Sequence, residues 1–169
     1  MKETNSLSAA NIDEMVQRAV FGAGDSERYE NRKKLIQLAR DAGVFPASIQ
    51  GFYEARGQGH FEGVTVPAIN IRGITYHVAR AVFRAAQMND VGAFIFEIAR
   101  SELGYTAQSP QEYSACVLAA GVREGFKGPV FIQGDHFQVR QKNFRSDPKK
   151  EFESIRELIR ESIAAGFYN

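Results

Sequence analysis

Pro129-Val130-Phe131-Ile132-Gln133-Gly134-Asp135-His136 is the stretch on which the fold turns. A Gly-Pro opening, a short apolar run and an abrupt Gly-Asp-His ending describe a buried parallel strand with two reactive side chains at its carboxyl tip. Parallel α/β enzymes build their sites at that end, because the loops leaving it are free to vary. The pair has two readings at this point. Asp135 and His136 are either a catalytic or metal-binding pair, or a structural one in which the carboxylate only orients the ring.

Working outward, 64–71 reads as an earlier strand, with Pro67 placing it near an edge or the strand start. A helix follows over 74–88, with Val78, Ala81, Val82 and Ala85 at core spacing. The run 91–99, rich in Phe94, Ile95, Phe96 and Ile98, is a second strand. A loop over 100–109 leads to a helix over 110–124, with Ser109 as N-cap, Pro110 in the first turn and Glu112 at the third position. After the 129–136 strand and a polar loop, a helix over 148–165 is capped by Asp147 and stopped by Gly166. Consecutive βα units at short spacing require a parallel sheet.

The preceding residues are different. A helix over 8–20 carries Ile12, Met15, Val16, Ala19 and Val20 on one face, with Ser8 or Asn11 as candidate cap. A second, over 26–42, buries Leu35, Ile36, Leu38 and Ala39 and stops at Gly43. The glycine-rich, aromatic stretch 44–63 has no firm assignment beyond a short helix around 49–56. The expected organisation is an N-terminal helical extension and connection, 1–63, followed by three βα units, 64–169. A complete (β/α)8 barrel takes roughly 250 residues. Residues 166–169 stand where a further strand is due, and three strands alone would leave an unpaired apolar edge. The expectation is therefore α/β, a partial TIM (β/α)8 barrel whose remaining strands lie outside this sequence.

Composition narrows the function. The 169 residues are 44% hydrophobic, enough for a real core, and 21 basic against 20 acidic residues give a net charge of +1. With both signs mixed along the chain, nothing calls for nucleic acid or an acidic membrane face. The single cysteine, Cys116, falls in an apolar helical pattern and reads as buried and inert. No secretory signal opens the chain and no apolar run approaches the roughly 20 residues of a membrane span. A soluble, cytoplasmic protein is the expectation.

Val66-Pro-Ala-Ile-Asn-Ile71, a helix, an apolar strand and then Gly128-Pro-Val-Phe-Ile-Gln-Gly-Asp-His136 together resemble the N-terminal half of class II, metal-dependent ketose-bisphosphate aldolases. Gly104-Tyr-Thr-Ala-Gln-Ser-Pro110 and the Gly-Asp-His order are more similar to the tagatose-bisphosphate aldolase subunits of that superfamily. The resemblance covers about 65–169 and leaves the first 60 or so residues without an equivalent. It implies a (β/α)8 barrel that reversibly cleaves a fructose- or tagatose-type bisphosphate to dihydroxyacetone phosphate and an aldehyde. It assigns Asp135 as the acid/base group at the substrate C4 hydroxyl and His136 as the first of three histidine ligands to a divalent metal, usually zinc. Such a metal stabilises the enediolate without a Schiff-base lysine. Asn70 matches a substrate-positioning asparagine, and a turn-forming role before Gly73 stays open for it.

Two departures accompany the match. The family's substrate-contacting serine at the second strand end is replaced by Ala99, with Ser101 two residues later as the candidate substitute. The loop 137–147 is not the usual short glycine-containing connection, and the other metal ligands belong to later strands. One histidine does not make a catalytic zinc site, which takes three protein ligands. His60 reads as a surface or packing residue, and His77 as part of a helix whose outer face is solvated. Arg140, Lys142, Arg145, Lys149 and Lys150 read as either a solvated loop or a phosphate-facing cluster. Glu97, inside an apolar strand, either pairs with Arg72 or Arg100 or lines the pocket. The functional expectation is a phosphorylated-sugar aldolase, homo-oligomeric when full length, of which this chain is an inactive N-terminal piece. The alternative is a non-catalytic aldolase-like subunit that stabilises an active partner.

Overall fold

The computed structural model describes residues 9–169. Two helices, α1 (Ala9–Phe21) and α2 (Asp25–Asp41), lead into a short strand, β1 (Val44–Ala47). Helix α3 (Gln50–Gly57) and the residues up to 67 connect it to β2 (Ala68–Asn70). Then follow α4 (Thr75–Met88), β3 (Ile95–Ala99), α5 (Arg100–Tyr105), α6 (Pro110–Arg123) and β4 (Gly128–Asp135). The chain closes with α7 (Gln141–Ser146) and α8 (Pro148–Ala165). The four strands form one all-parallel sheet in the order β1-β4-β3-β2. An α/β fold with helices between parallel strands is thus borne out; closure into a barrel is not part of this structure.

The sheet has two unlike faces. Val44, Phe96, Ile98, Val130 and Ile132 point into a core shared with Ile12, Val16 and Ala19 of α1, Leu35 and Ala39 of α2, and Phe83 of α4. Alternation along each strand sends Asn70, Glu97, Gln133 and Asp135 to the other face. At the centre of the helix layer is α6, whose residues from Pro110 to Gly121 are, with one exception at Gln111, buried. Its run of Ser114, Ala115, Cys116, Ala119, Ala120 and Gly121 keeps it thin enough for neighbours on all sides. A Cβ on Gly121 would come within 3.0 Å of Val44 and 3.2 Å of Phe83, so glycine is what admits both.

Three departures from the sequence reading have clear causes. The edge of β4 is not unpaired: Val44–Ala47, within the unassigned stretch, runs parallel to it in register with Gly128 to Phe131. Residues 166–169 do not begin a strand. Gly166 turns the chain at φ 100°, Phe167 enters the core, and the Asn169 side chain donates to Ala47 O (3.1 Å) and Ile132 O (3.2 Å) while accepting from Ile49 N–H at 2.7 Å. The buried face of α4 is rotated from the expected one. Ala81 and Ala85 are exposed while Phe83 and Ala86 are buried, because the Phe83 ring is claimed by Phe94, Phe96 and Phe126 at 4.9–5.7 Å.

Other expectations are met. Ser109 accepts from Glu112 N–H and Asp147 from Lys150 N–H, so both caps form. Of the caps considered for α1, Ser8 lies outside the described residues and Asn11 stands inside the helix. Two stretches read as loops contain helices, α5 and α7. No helix is long and apolar enough to cross a membrane among the described residues. Phe83→Ala removes the ring on which Phe94, Phe96 and Phe126 converge. We expect a loss of about 3–5 kcal/mol in chemical denaturation.

Candidate functional site at the carboxyl rim of the sheet

Register places the candidate residues. Asn70, Glu97 and Gln133 lie side by side across β2, β3 and β4, and Ala99 and Asp135 lie side by side one step further toward the carboxyl ends. All point to the face away from the helix layer. Asn70 and Asp135 therefore share one face and one rim, as the sequence pattern required.

The turn after Asp135 is built by its neighbours. His136 takes the left-handed conformation (φ 46°) and reverses the chain, and the Phe137 ring folds back over Gly134. A Cβ on Gly134 would fall 2.8 Å from that ring, so the glycine before the aspartate is a packing requirement. Phe137 then stacks near Phe167, which anchors the turn to the core. The reversal brings His136 Nε2 to 3.3 Å from Asp135 Oδ1, so the two side chains face each other instead of diverging. The imidazole is 73% exposed and the carboxylate 27%.

The charged residue of the second strand finds a partner that sequence reasoning did not consider. Glu97 pairs with neither Arg72 nor Arg100; its Oε2 accepts from Gln133 Nε2 at 2.5 Å. The two arginines are held elsewhere. Arg72 Nε donates to Glu102 Oε1 at 2.5 Å, and Arg100 Nη1 donates to Glu151 Oε1 at 2.5 Å. Tyr113, buried in α6, donates its hydroxyl to Glu97 O at 2.7 Å, and burial keeps that phenol protonated.

Glu102 is the structural centre of the rim. Its Oε2 accepts from Asn70 Nδ2 (2.9 Å) and from the Ala99 N–H (2.7 Å), and its Oε1 takes Arg72. Burial alone would raise its carboxyl, but Arg72, the Ala99 amide and Asn70 outweigh it and hold the group below the ordinary carboxylate range. Sequence reading missed Glu102 because it fell in the stretch 100–109, read as a loop. A glutamate three residues after a strand end, able to accept from the first free amide of a helix, was the available signal. Ser101, beside it, is exposed and makes no hydrogen bond to the rim.

Behind Asp135, Glu151 fixes the following loop. It accepts from Arg100, the Arg140 N–H (2.8 Å) and Asn143 (3.0 Å), and it is buried. The hydrogen bond from Arg100, then that from the Arg140 amide, hold its carboxyl at about 2. Arg140, Lys142, Arg145, Lys149 and Lys150 are all exposed around this buckle. His60 and His77 are exposed, and Cys116 is buried, its thiol pushed up to about 12.

Among the described residues no group of three or more His, Cys, Asp or Glu side chains is arranged to hold a metal ion. His136, turned onto Asp135, is a single ligand and does not fit a resident zinc by itself. One surface cleft, about 940 Å3, runs between α2, α6 and α8 and contains none of the strand-end residues. Another, about 670 Å3, lies between α1 and the start of α4 and reaches Arg72. Comparison with known protein families, curated proteins and solved structures finds no match to this chain.

The Glu151 buckle makes a pH-dependent prediction. A carboxyl lowered by folding stabilises the structure above its ordinary value of 4.5, and that contribution fades as pH falls through about 2. At neutral pH, Glu151→Gln should speed amide exchange of Arg140 and α7 roughly tenfold or more, with the sheet amides little changed. Exchange followed by NMR checks it.

Proposed function

We propose that this chain carries the proton-transfer part of a class II aldolase-like site, acting on a fructose- or tagatose-type ketose bisphosphate. The observation that carries the reading is the placement of Asp135 at the carboxyl end of β4, on the same face and rim as Asn70. A carboxylate there, part-exposed and beside an imidazole, takes the proton of a substrate hydroxyl as the adjacent carbon–carbon bond breaks and returns it in the reverse direction. Asn70, gripped by Glu102, orients the substrate chain. In the family this sequence resembles, a divalent metal, usually zinc, would supply the charge stabilisation of the cleavage step; His136 is the one residue here that would hold it, and its full ligand set is not found among the described residues. The product pair on this reading is dihydroxyacetone phosphate and an aldehyde.

The second reading, a non-catalytic aldolase-like subunit that steadies an active partner, is favoured by that same donor set. His136 is the lone histidine at the rim, and Ser101 stands outside the hydrogen-bonded row. The two readings separate in one assay. With fructose and tagatose bisphosphates in zinc buffer, in the polypeptide or assembly that completes the metal shell, Asp135→Asn should lower cleavage roughly 10²–10⁴-fold and keep the melting temperature. Unchanged cleavage refutes the acid/base role and leaves the subunit reading. The 169-residue chain alone should retain well under one equivalent of zinc after dialysis. Metal analysis showing a full equivalent would contradict the donor-set argument.

A further inference from the structure

Arg72 combines exposure with a fixed position. Its side chain is 64% exposed, yet its Nε is held on the buried Glu102 carboxylate at 2.5 Å. Neither terminal Nη group has a hydrogen-bond partner among the described residues, although the Asp135 carboxylate contributes to the field at the guanidinium. A guanidinium anchored through Nε presents its two outer amines as a planar fork, with much of its rotamer freedom already removed. It is therefore organised before a ligand arrives, whereas Arg100, held through both terminal nitrogens, has no such free fork.

The same carboxylate sets the direction of Asn70. A carboxylate only accepts, so Asn70 must turn its Nδ2 to Glu102 and its Oδ1 away. That oxygen is buried and has no donor among the described residues. Buried acceptors are almost always paired, and an unpaired one is a destabilising feature that a ligand hydroxyl would relieve. Asn70 and Arg72, two residues apart at a strand end, point to the same side. Two strand spacings, about 10 Å, separate β2 from β4 and its Asp135. A phosphorylated chain of a few carbons has that length.

We propose that Arg72 is the phosphate-binding residue of the rim, with Glu102 as its positioning residue. The ligand is a small polyol phosphate, its phosphate oxygens on the two Nη groups and one hydroxyl donating to Asn70 Oδ1. The polyol half rests on the aldolase-type reading; the anion half stands on Arg72 and Glu102 alone.

The test titrates the whole chain, isotope-labelled, with dihydroxyacetone phosphate, dihydroxyacetone and inorganic phosphate, followed by NMR. Dihydroxyacetone phosphate should move the resonances of Asn70, Arg72 and Glu102 and bind at least tenfold tighter than dihydroxyacetone. Arg72→Ala should abolish that preference, and Arg72→Lys, which keeps the charge without the fork, should recover only part of it. Glu102→Gln retains an oxygen for Asn70 and Ala99 but loses the charge under Arg72. It should weaken phosphate binding several-fold and send the Arg72 Nε–H signal into fast exchange with water, a change that a purely packing role would not produce. Equal affinity for the phosphorylated and unphosphorylated compounds, or full affinity in both Arg72 variants, overturns the proposal. Inorganic phosphate binding as tightly as dihydroxyacetone phosphate overturns the Asn70 half. The aldolase-type reading fails separately, by normal cleavage in Asp135→Asn, while Arg72-dependent phosphate binding persists.

Discussion

Helix α6 is enclosed by α1, α2, α4 and α8 and by the sheet, and those elements take their places around it. A helix buried all round has no solvated face to take polar residues, so its side chains are mostly apolar, and Ser114 Oγ is buried with no hydrogen-bond partner among the described residues. The polar ones that are satisfied are tethers. Glu112 lies against Arg32, whose other nitrogens reach Ala19 O (2.8 Å) and Ser109 Oγ (3.2 Å), so one guanidinium joins α1, α2 and the start of α6. Tyr113 ties the same helix to the backbone of β3 under Glu97. At the far end, Arg80 bonds Glu124 at 2.5 Å and locks α4 beside it. Burial of this helix is what draws α1 and α2 into one core with the βα units.

The opposite side of the sheet obeys a different rule. There the strand ends carry amides and carboxylates, and order comes from directed hydrogen bonds instead of close packing. Glu102 gathers three donors from three places in the chain: the end of β2, the residue after next, and the start of its own helix. Glu151 does the same for the loop behind Asp135. Both acids are buried and both are held charged by the donors around them. Asp135 sits between these two fixed points, itself more open to solvent than either.

Much of the fold was legible because its strong signals are local. The caps at Ser109 and Asp147, the stops at Gly43 and Gly166, and the apolar runs of β3 and β4 act within a few residues of themselves. Strand β1 was not legible: four residues containing a proline carry almost no periodicity, and their pairing with β4 bridges about eighty positions. The orientation of α4 was misread because spacing alone does not weigh one phenylalanine against several small residues. At the rim, Asp135, His136 and Asn70 came from a motif, whereas Glu102 and Gln133 came only from register and from a helix too short to announce itself.

Pro46 lies at the outer margin of the sheet, in a strand four residues long. A proline has no amide hydrogen to offer, and strands that contain one are poor templates for a second chain laid alongside. The other margin, β2, is three residues long and enters through Pro67. Both flanks of the sheet are thus blunted, and the long apolar strands β3 and β4 are kept inside. A protein so arranged resists fibril-like growth in concentrated solution without any extra net charge to keep copies apart.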